Sequence, residues 1–127
     1  MNLLLDTHAL LWSAEAPARL SAKARSELEN AANDLFFSAA SSWEIAIELS
    51  LQKLRLSISL DDFAKLLASK DIFELPVEGA HAPKVASMPF HHRDPFDRLL
   101  IAQAQVEGLS LASKDDEFDA YGVRRLW

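Results

Sequence analysis

Cysteine is absent from the 127 residues. That excludes disulfides, thiol nucleophiles and thiolate zinc sites, and it fits a reducing compartment. Glycine occurs only at Gly79, Gly108 and Gly122, so no glycine-rich loop is available to cradle a phosphate. Gly-x-Ser-x-Gly is missing, and with it the nucleophile elbow that a Ser-His-Asp triad would need. The histidines lack His-x-x-x-His spacing. His81 is isolated, while His91 and His92 are adjacent and must diverge, so either could flank a site, with solvated loop positions as the favoured reading. No apolar run approaches the length of a bilayer span, and the N-terminus lacks the basic start of a signal peptide. The expectation is a cytoplasmic protein without a membrane segment. Repeats, low-complexity tracts and linkers are absent as well.

Basic residues are in the minority, 13 against 19 acids, for a net charge of -6. This argues against a broad positive surface for nucleic acid, although clustered acids could hold cations that bridge to phosphate. A hydrophobic content of 50% and a charged content of 25% are ordinary for a globular protein. The length predicts one domain, residues 1–127, able to bury roughly two thirds of its unfolded surface.

Asn2 to Asp6 is a short apolar run ending in an acid, the pattern of a buried parallel strand. Helical spacing follows from Thr7 to Ala14, broken by Pro17, and again from Ser21 to Ala32 with Ser21 as cap. Leu35 to Ala39 reads as a second strand. Ser41 or Ser42 then opens a helix in which Trp43, Ile47 and Leu51 share a face. Leu54 to Ile58 is an extended link or a short hairpin arm, Leu60 to Ser69 a helix and Ile72 to Val77 a third strand limited by Pro76. Glu78 to Ser87 has helical character despite Gly79 and Pro83. A further helix starts at Asp94-Pro95 and stops at Gly108, since aspartate suits the N-cap, proline the first turn and glycine the C-cap. Leu109 to Ser113 and Gly122 to Trp127 complete five strands, the last near an edge. Strands alternating with helices predict an α/β protein with a mostly parallel sheet covered on both faces.

Sites in such sheets form beyond the carboxyl ends of the strands. Asp6 ends the first strand, Glu44 lies one short turn past the second, and Asp115 and Asp116 follow the fourth. Asp97 stands in the first turn of a helix that precedes a strand, so its convergence is less obvious. Each acid also has a structural reading, Asp6 only if it caps the Thr7 helix. Ser41-x-x-Glu44 matches a capping box, Asp94 and Asp97 suit a helix N-terminus, and Asp115 and Asp116 suit a turn. If they converge, two carboxylates ~5 Å apart repel by roughly 3 kcal/mol at an effective dielectric of about 20. Such a cluster needs a cation or raised pKa values, and oxygen donors without cysteine select Mg²⁺ or Mn²⁺. Arg98 and Lys114 are candidate phosphate contacts, with a helix-face ion pair as the competing reading.

LLLDTHALLW (3–12), SSWEIAIELSLQKLRL (41–56), DPFDRLLIAQA (94–104) and LASKDDEFDAYGV (111–123) resemble, in order and spacing, the PIN-domain ribonucleases of the VapC toxin type. The resemblance spans nearly the whole chain. It implies a three-layer α/β/α fold and metal-dependent endonucleolytic cleavage of RNA at a four-carboxylate Mg²⁺ or Mn²⁺ site. Mapped onto this sequence, those acids are Asp6, Glu44, Asp97 and Asp115. Asp94 is then an accessory acid, Asp116 an alternative to Asp115, and Ser113 stands where relatives commonly carry threonine. A cognate antitoxin and a homodimer are also implied. Glu48, where many relatives have lysine, and Leu51-Gln52-Lys53, in place of Leu-Gly-Lys, depart from the pattern. Two other classes fit less well. A HAD-like phosphatase needs an acid two residues after Asp6, where His8 stands. A receiver-type signalling domain needs a paired acid after the first strand and an acceptor where Leu75-Pro76 stands.

Overall fold

A computed structural model describes residues Met1–Trp127. Five parallel strands form one sheet: β1 Asn2–Leu5, β2 Asp34–Ser38, β3 Ile72–Leu75, β4 Ser110–Ala112 and β5 Arg125–Leu126, in the order β3-β2-β1-β4-β5. β1 lies at the centre, with Leu3, Leu4 and Leu5 paired to Leu35, Phe36 and Phe37 on one side and to Ser110, Leu111 and Ala112 on the other. All three leucines are fully buried. Alternation along the strand divides them: Leu3 and Leu5 belong to one hydrophobic cluster, Leu4 to the other. That is why the run reads as continuously apolar.

The helices are α1 Thr7–Glu15, α2 Ala22–Glu29, α3 Ala39–Ser50, α4 Leu60–Ser69, α5 His81–Ser87 and α6 Pro95–Glu107. Leu10 of α1, Ala24 of α2, Ile45 of α3 and Phe63 and Leu67 of α4 pack with Leu3 and Leu5. Val85 of α5 and Leu100, Ile101 and Ala104 of α6 pack with Leu4 and Leu111 on the opposite face. The three-layer α/β/α arrangement follows. No helix is long and apolar enough to cross a membrane.

α3 begins earlier than the sequence pattern suggests. Ser38 is both the last residue of β2 and the N-cap of α3, its Oγ accepting from Ala40 N at 3.0 Å. The chain therefore enters the helix without a loop, and Ser41-x-x-Glu44 is not a capping box. The face shared by Trp43, Ile47 and Leu51 does not meet the sheet: Trp43 is 67% exposed and Leu51 57%, while Ala40, Ser41 and Ile45 are the buried positions. Past Leu51, Lys53 N bonds to Glu48 O at 2.9 Å and Gln52 N to Leu49 O at 3.1 Å, the paired bonds of a Schellman turn. Gln52 occupies its left-handed position with φ 58°, where glycine is usual.

Candidate metal centre

Each crossover helix runs antiparallel to the strands, so its N-terminus lies at their carboxyl edge. This is how α6, although it precedes β4, delivers Asp97 to the same edge as Asp6. Asp94 caps α6, its Oδ1 accepting from Phe96 N at 2.8 Å and from Asp97 N at 3.1 Å, with Pro95 in the first position. Gly108 ends that helix in the left-handed conformation. Asp6 likewise caps α1, accepting from Ala9 N at 2.7 Å. Capping and site formation are thus combined at both residues.

Asp6, Glu44, Asp94, Asp97 and Asp115 line one cavity of about 100 Å³, together with Glu48, Thr7 and His8. Asp116 does not. It is exposed at the start of the 3₁₀ segment Asp116–Tyr121, while Asp115 caps that segment by accepting from Glu117 N at 2.9 Å. Ser113 is fully buried, and its Oγ accepts from Asp115 N at 3.0 Å.

Three of the acids are held above the usual carboxylate range. Burial is the main cause for Asp6, opposed by hydrogen bonds from Ser113 and Ala9 N and reinforced by Asp115. Burial likewise raises Glu44, with Asp94 and Glu48 adding repulsion and the Thr7 hydroxyl opposing it. Asp97 is pushed up to about 7, by burial first and by Asp94 next, while His92 pulls the other way. Taking charges out of water beside like charges disfavours the ionised form.

Several participants carried no signal in the sequence pattern. Thr7 Oγ1 lies 2.6 Å from Glu44 Oε1 and donates to it, with Ser41 Oγ 3.0 Å away. A hydroxyl directly after Asp6 was the available clue. His92 is not a solvated loop residue. Its Nδ1 accepts from Asp94 N at 3.2 Å, which places the proton of a neutral ring on Nε2, and Nε2 lies 3.1 Å from Asp97 Oδ2. The same nitrogen is 3.3 Å from Glu117 Oε2 and 3.7 Å from Asp115 Oδ2. His92, Asp115 and Glu117 are close enough together to suggest a cation site, although in that tautomer Nε2 carries a proton and offers no lone pair to an ion. His91 turns the other way, onto the Tyr121 ring.

Arg98 is neither a phosphate contact nor a surface ion pair. It is 5% exposed, and its guanidinium donates to the carbonyls of Val85, Met88 and Pro89 at 3.1, 3.3 and 2.8 Å. It clamps the segment between α5 and α6. Lys114 stays exposed beside Asp6 and Asp115.

The cavity fits a hard divalent cation. Its donors are carboxylate oxygens, raised by burial and mutual repulsion that a positive ion would relieve. About 100 Å³ also leaves room for several waters around an ion.

A model of the PIN domain matches residues 3–123. The chain belongs to the PIN domain family. This PIN domain is 30% identical over 115 residues to Ribonuclease VapC22 of Mycobacterium tuberculosis, covering 90% of this chain and 87% of that one. Two solved structures share the fold. VapBC2 from Rickettsia felis, bound to a DNA fragment from its promoter, superposes with a TM-score of 0.74 at 12% identity, covering all of both chains. FitAcB from Neisseria gonorrhoeae superposes with a TM-score of 0.61 at 20% identity, covering 97% of this chain and 95% of that one.

Proposed function

We propose that this PIN domain is a metal-dependent endoribonuclease, acting in the cytoplasm as the toxin of a toxin–antitoxin pair. The observation that carries the reading is the convergence of Asp6, Glu44, Asp97 and Asp115, from four separate segments, on one cavity. The ribonuclease name of the relative that is similar over 90% of the chain supports RNA as the substrate.

In this reading Asp6, Glu44, Asp97 and Asp115 hold Mg²⁺ or Mn²⁺, with Asp94 and Ser113 as accessory groups. When bound, the cation supplies Lewis-acid polarisation of the scissile phosphate and acidifies a water molecule. The chain's own groups prepare for it. The Thr7 hydroxyl fixes Glu44 Oε1, the Ala9 N–H fixes Asp6, and His92 Nε2 lies 3.1 Å from Asp97 Oδ2. Asp97, pushed up to about 7, gives up its proton on binding. A carboxylate so perturbed in a cleft fits a functional role. Asp94 keeps the first turn of α6 in place, so Asp97 is presented by a capped helix and not by a loose loop.

A cognate antitoxin and a second copy of the chain complete the proposed assembly. The net charge of -6 suits a basic partner. Incubation of tRNA, rRNA and mRNA with Mn²⁺ tests the enzyme reading. Wild type should produce discrete internal cuts that EDTA abolishes and Asp97→Asn lacks. Equal cleavage by the two proteins would overturn the site assignment, and no cleavage of any RNA would overturn the activity.

A further inference from the structure

The acid cavity does not end blindly. His8 lines it, and also lines two neighbouring depressions, which share Trp12 with each other. The first of these lies between Asp6, Asp115 and Lys114. The second is a cleft of about 520 Å³ that contains Arg19, Lys53 and Arg55. The three depressions adjoin at His8 and together make a trench with the carboxylates toward one end and three cations toward the other.

Those cations are available. Neither Arg19, Lys53 nor Arg55 is ion-paired with a carboxylate, in contrast to Arg125, which holds Asp119. The Arg19 guanidinium lies over the Trp12 ring, 4.6 Å from its centroid, which orients the charge without neutralising it. Trp12 is itself braced by Trp127 at 5.9 Å. Lys53 follows directly on the Schellman turn, so its backbone is fixed by the bond from its N–H to Glu48 O. Two acids also face the cleft. Glu15 is engaged by Ser57, whose Oγ donates at 2.7 Å, and Glu48 sits at the acid end, near Glu44.

We propose that the Arg19–Lys53–Arg55 cleft is a phosphate-binding subsite that holds the backbone of single-stranded RNA on one side of the scissile phosphate. This rests on the endoribonuclease reading of the adjoining cavity. A chain with net charge -6 repels a polyanion overall, so a strand needs a local cationic hold. RNA carries a charge at every nucleotide and can occupy both ends of the trench once cations sit among the acids. An acidic peptide gains nothing at the acid end, and a basic partner is repelled at the other.

The test reads binding without turnover, so it is independent of whether RNA is cut. A fluorescent ten-nucleotide RNA is titrated with Asp6→Asn protein in Mg²⁺, at 50 to 200 mM salt, and the titration is repeated with Arg19→Ser, Lys53→Ser and Arg55→Ser added. Three lost phosphate contacts should lower the slope of log K against log salt by about 2, so the gap from the parent narrows about 16-fold across that range. Arg19→Lys alone, which keeps the charge, should retain most of the affinity. A control with the exposed Lys23 and Lys65 changed to Ser, away from the trench, should keep the parent slope. The proposal is overturned if the triple variant keeps the parent slope, if the control loses as much, or if the triple variant instead loses binding to an acidic decapeptide. A wild type that fails to cleave RNA would count against the enzyme reading alone.

Discussion

Asp97→Asn should stabilise the metal-free protein while abolishing its activity. The carboxyl is pushed from 3.8 to about 7 on folding. Below pH ~4 the group is protonated in both folded and unfolded chains and has no effect on stability. As pH rises from there to about 7, the unfolded chain ionises and the folded one resists, so stability falls by up to 1.36 kcal/mol per pH unit. The full span corresponds to about 4 kcal/mol, and the 24% exposure of the side chain brings the expected effect nearer ~2 kcal/mol. Asparagine carries no such penalty. Urea unfolding in EDTA, followed by fluorescence of the three tryptophans, measures the difference. The variant should exceed wild type by about 2 kcal/mol at pH 8 and match it within ~0.5 kcal/mol at pH 4. Saturating Mg²⁺ should reverse the order at pH 8, because only wild type gains binding free energy. A variant less stable than wild type at pH 8 in EDTA would refute the claim that Asp97 is a strained acid awaiting a cation.

Three further outcomes follow from contacts outside the four acids. Arg98→Ala removes the donor to three backbone carbonyls and should cost about 3 kcal/mol in urea unfolding, with Arg98→Lys recovering little because it lacks the planar fork. His92→Ala should weaken Mn²⁺ affinity by about 10- to 100-fold in titration calorimetry, the usual loss when a group in contact with a metal ligand is removed; unchanged affinity would make His92 a bystander. Gln52→Gly relieves a left-handed residue in the Schellman turn and should raise stability by about 0.5–1 kcal/mol, a gain that thermal unfolding can resolve.

The parts of the fold that could be read directly were those in which local chemistry and tertiary role coincide. Leu3 to Leu5 is apolar throughout because the strand is covered on both faces, and Asp94-Pro95 starts α6 because cap and first-turn preferences agree. Glu44 carries two readings for the opposite reason. Ser41 three residues before it imitates a capping box, whereas the helix had already begun at Ala39 and the carboxylate accepts from Thr7, 37 positions earlier in the chain. Arg98 and His92 show the same limit. The first is committed to carbonyls of the segment before α6, and the second accepts from Asp94 N while its Nε2 sits 3.1 Å from Asp97 Oδ2. Nothing in the spacing of either residue distinguishes those roles from solvent exposure. Doubt about Asp97 arose from treating its helix as preceding a strand, when the helix start and the strand ends share one edge.

The most direct test of the account is the rate of cleavage of a labelled RNA as a function of Mn²⁺ concentration, for wild type and Asp6→Asn. Asparagine keeps the cap on Ala9 N, so the variant should unfold at an unchanged or higher urea midpoint. Wild type should show saturable, EDTA-sensitive cleavage, and the variant a rate at least about 10³-fold lower, equivalent to ~4 kcal/mol of lost transition-state stabilisation. Cleavage by folded Asp6→Asn at the wild-type rate, or by wild type without a divalent metal, would contradict a four-carboxylate metal centre at this edge of the sheet.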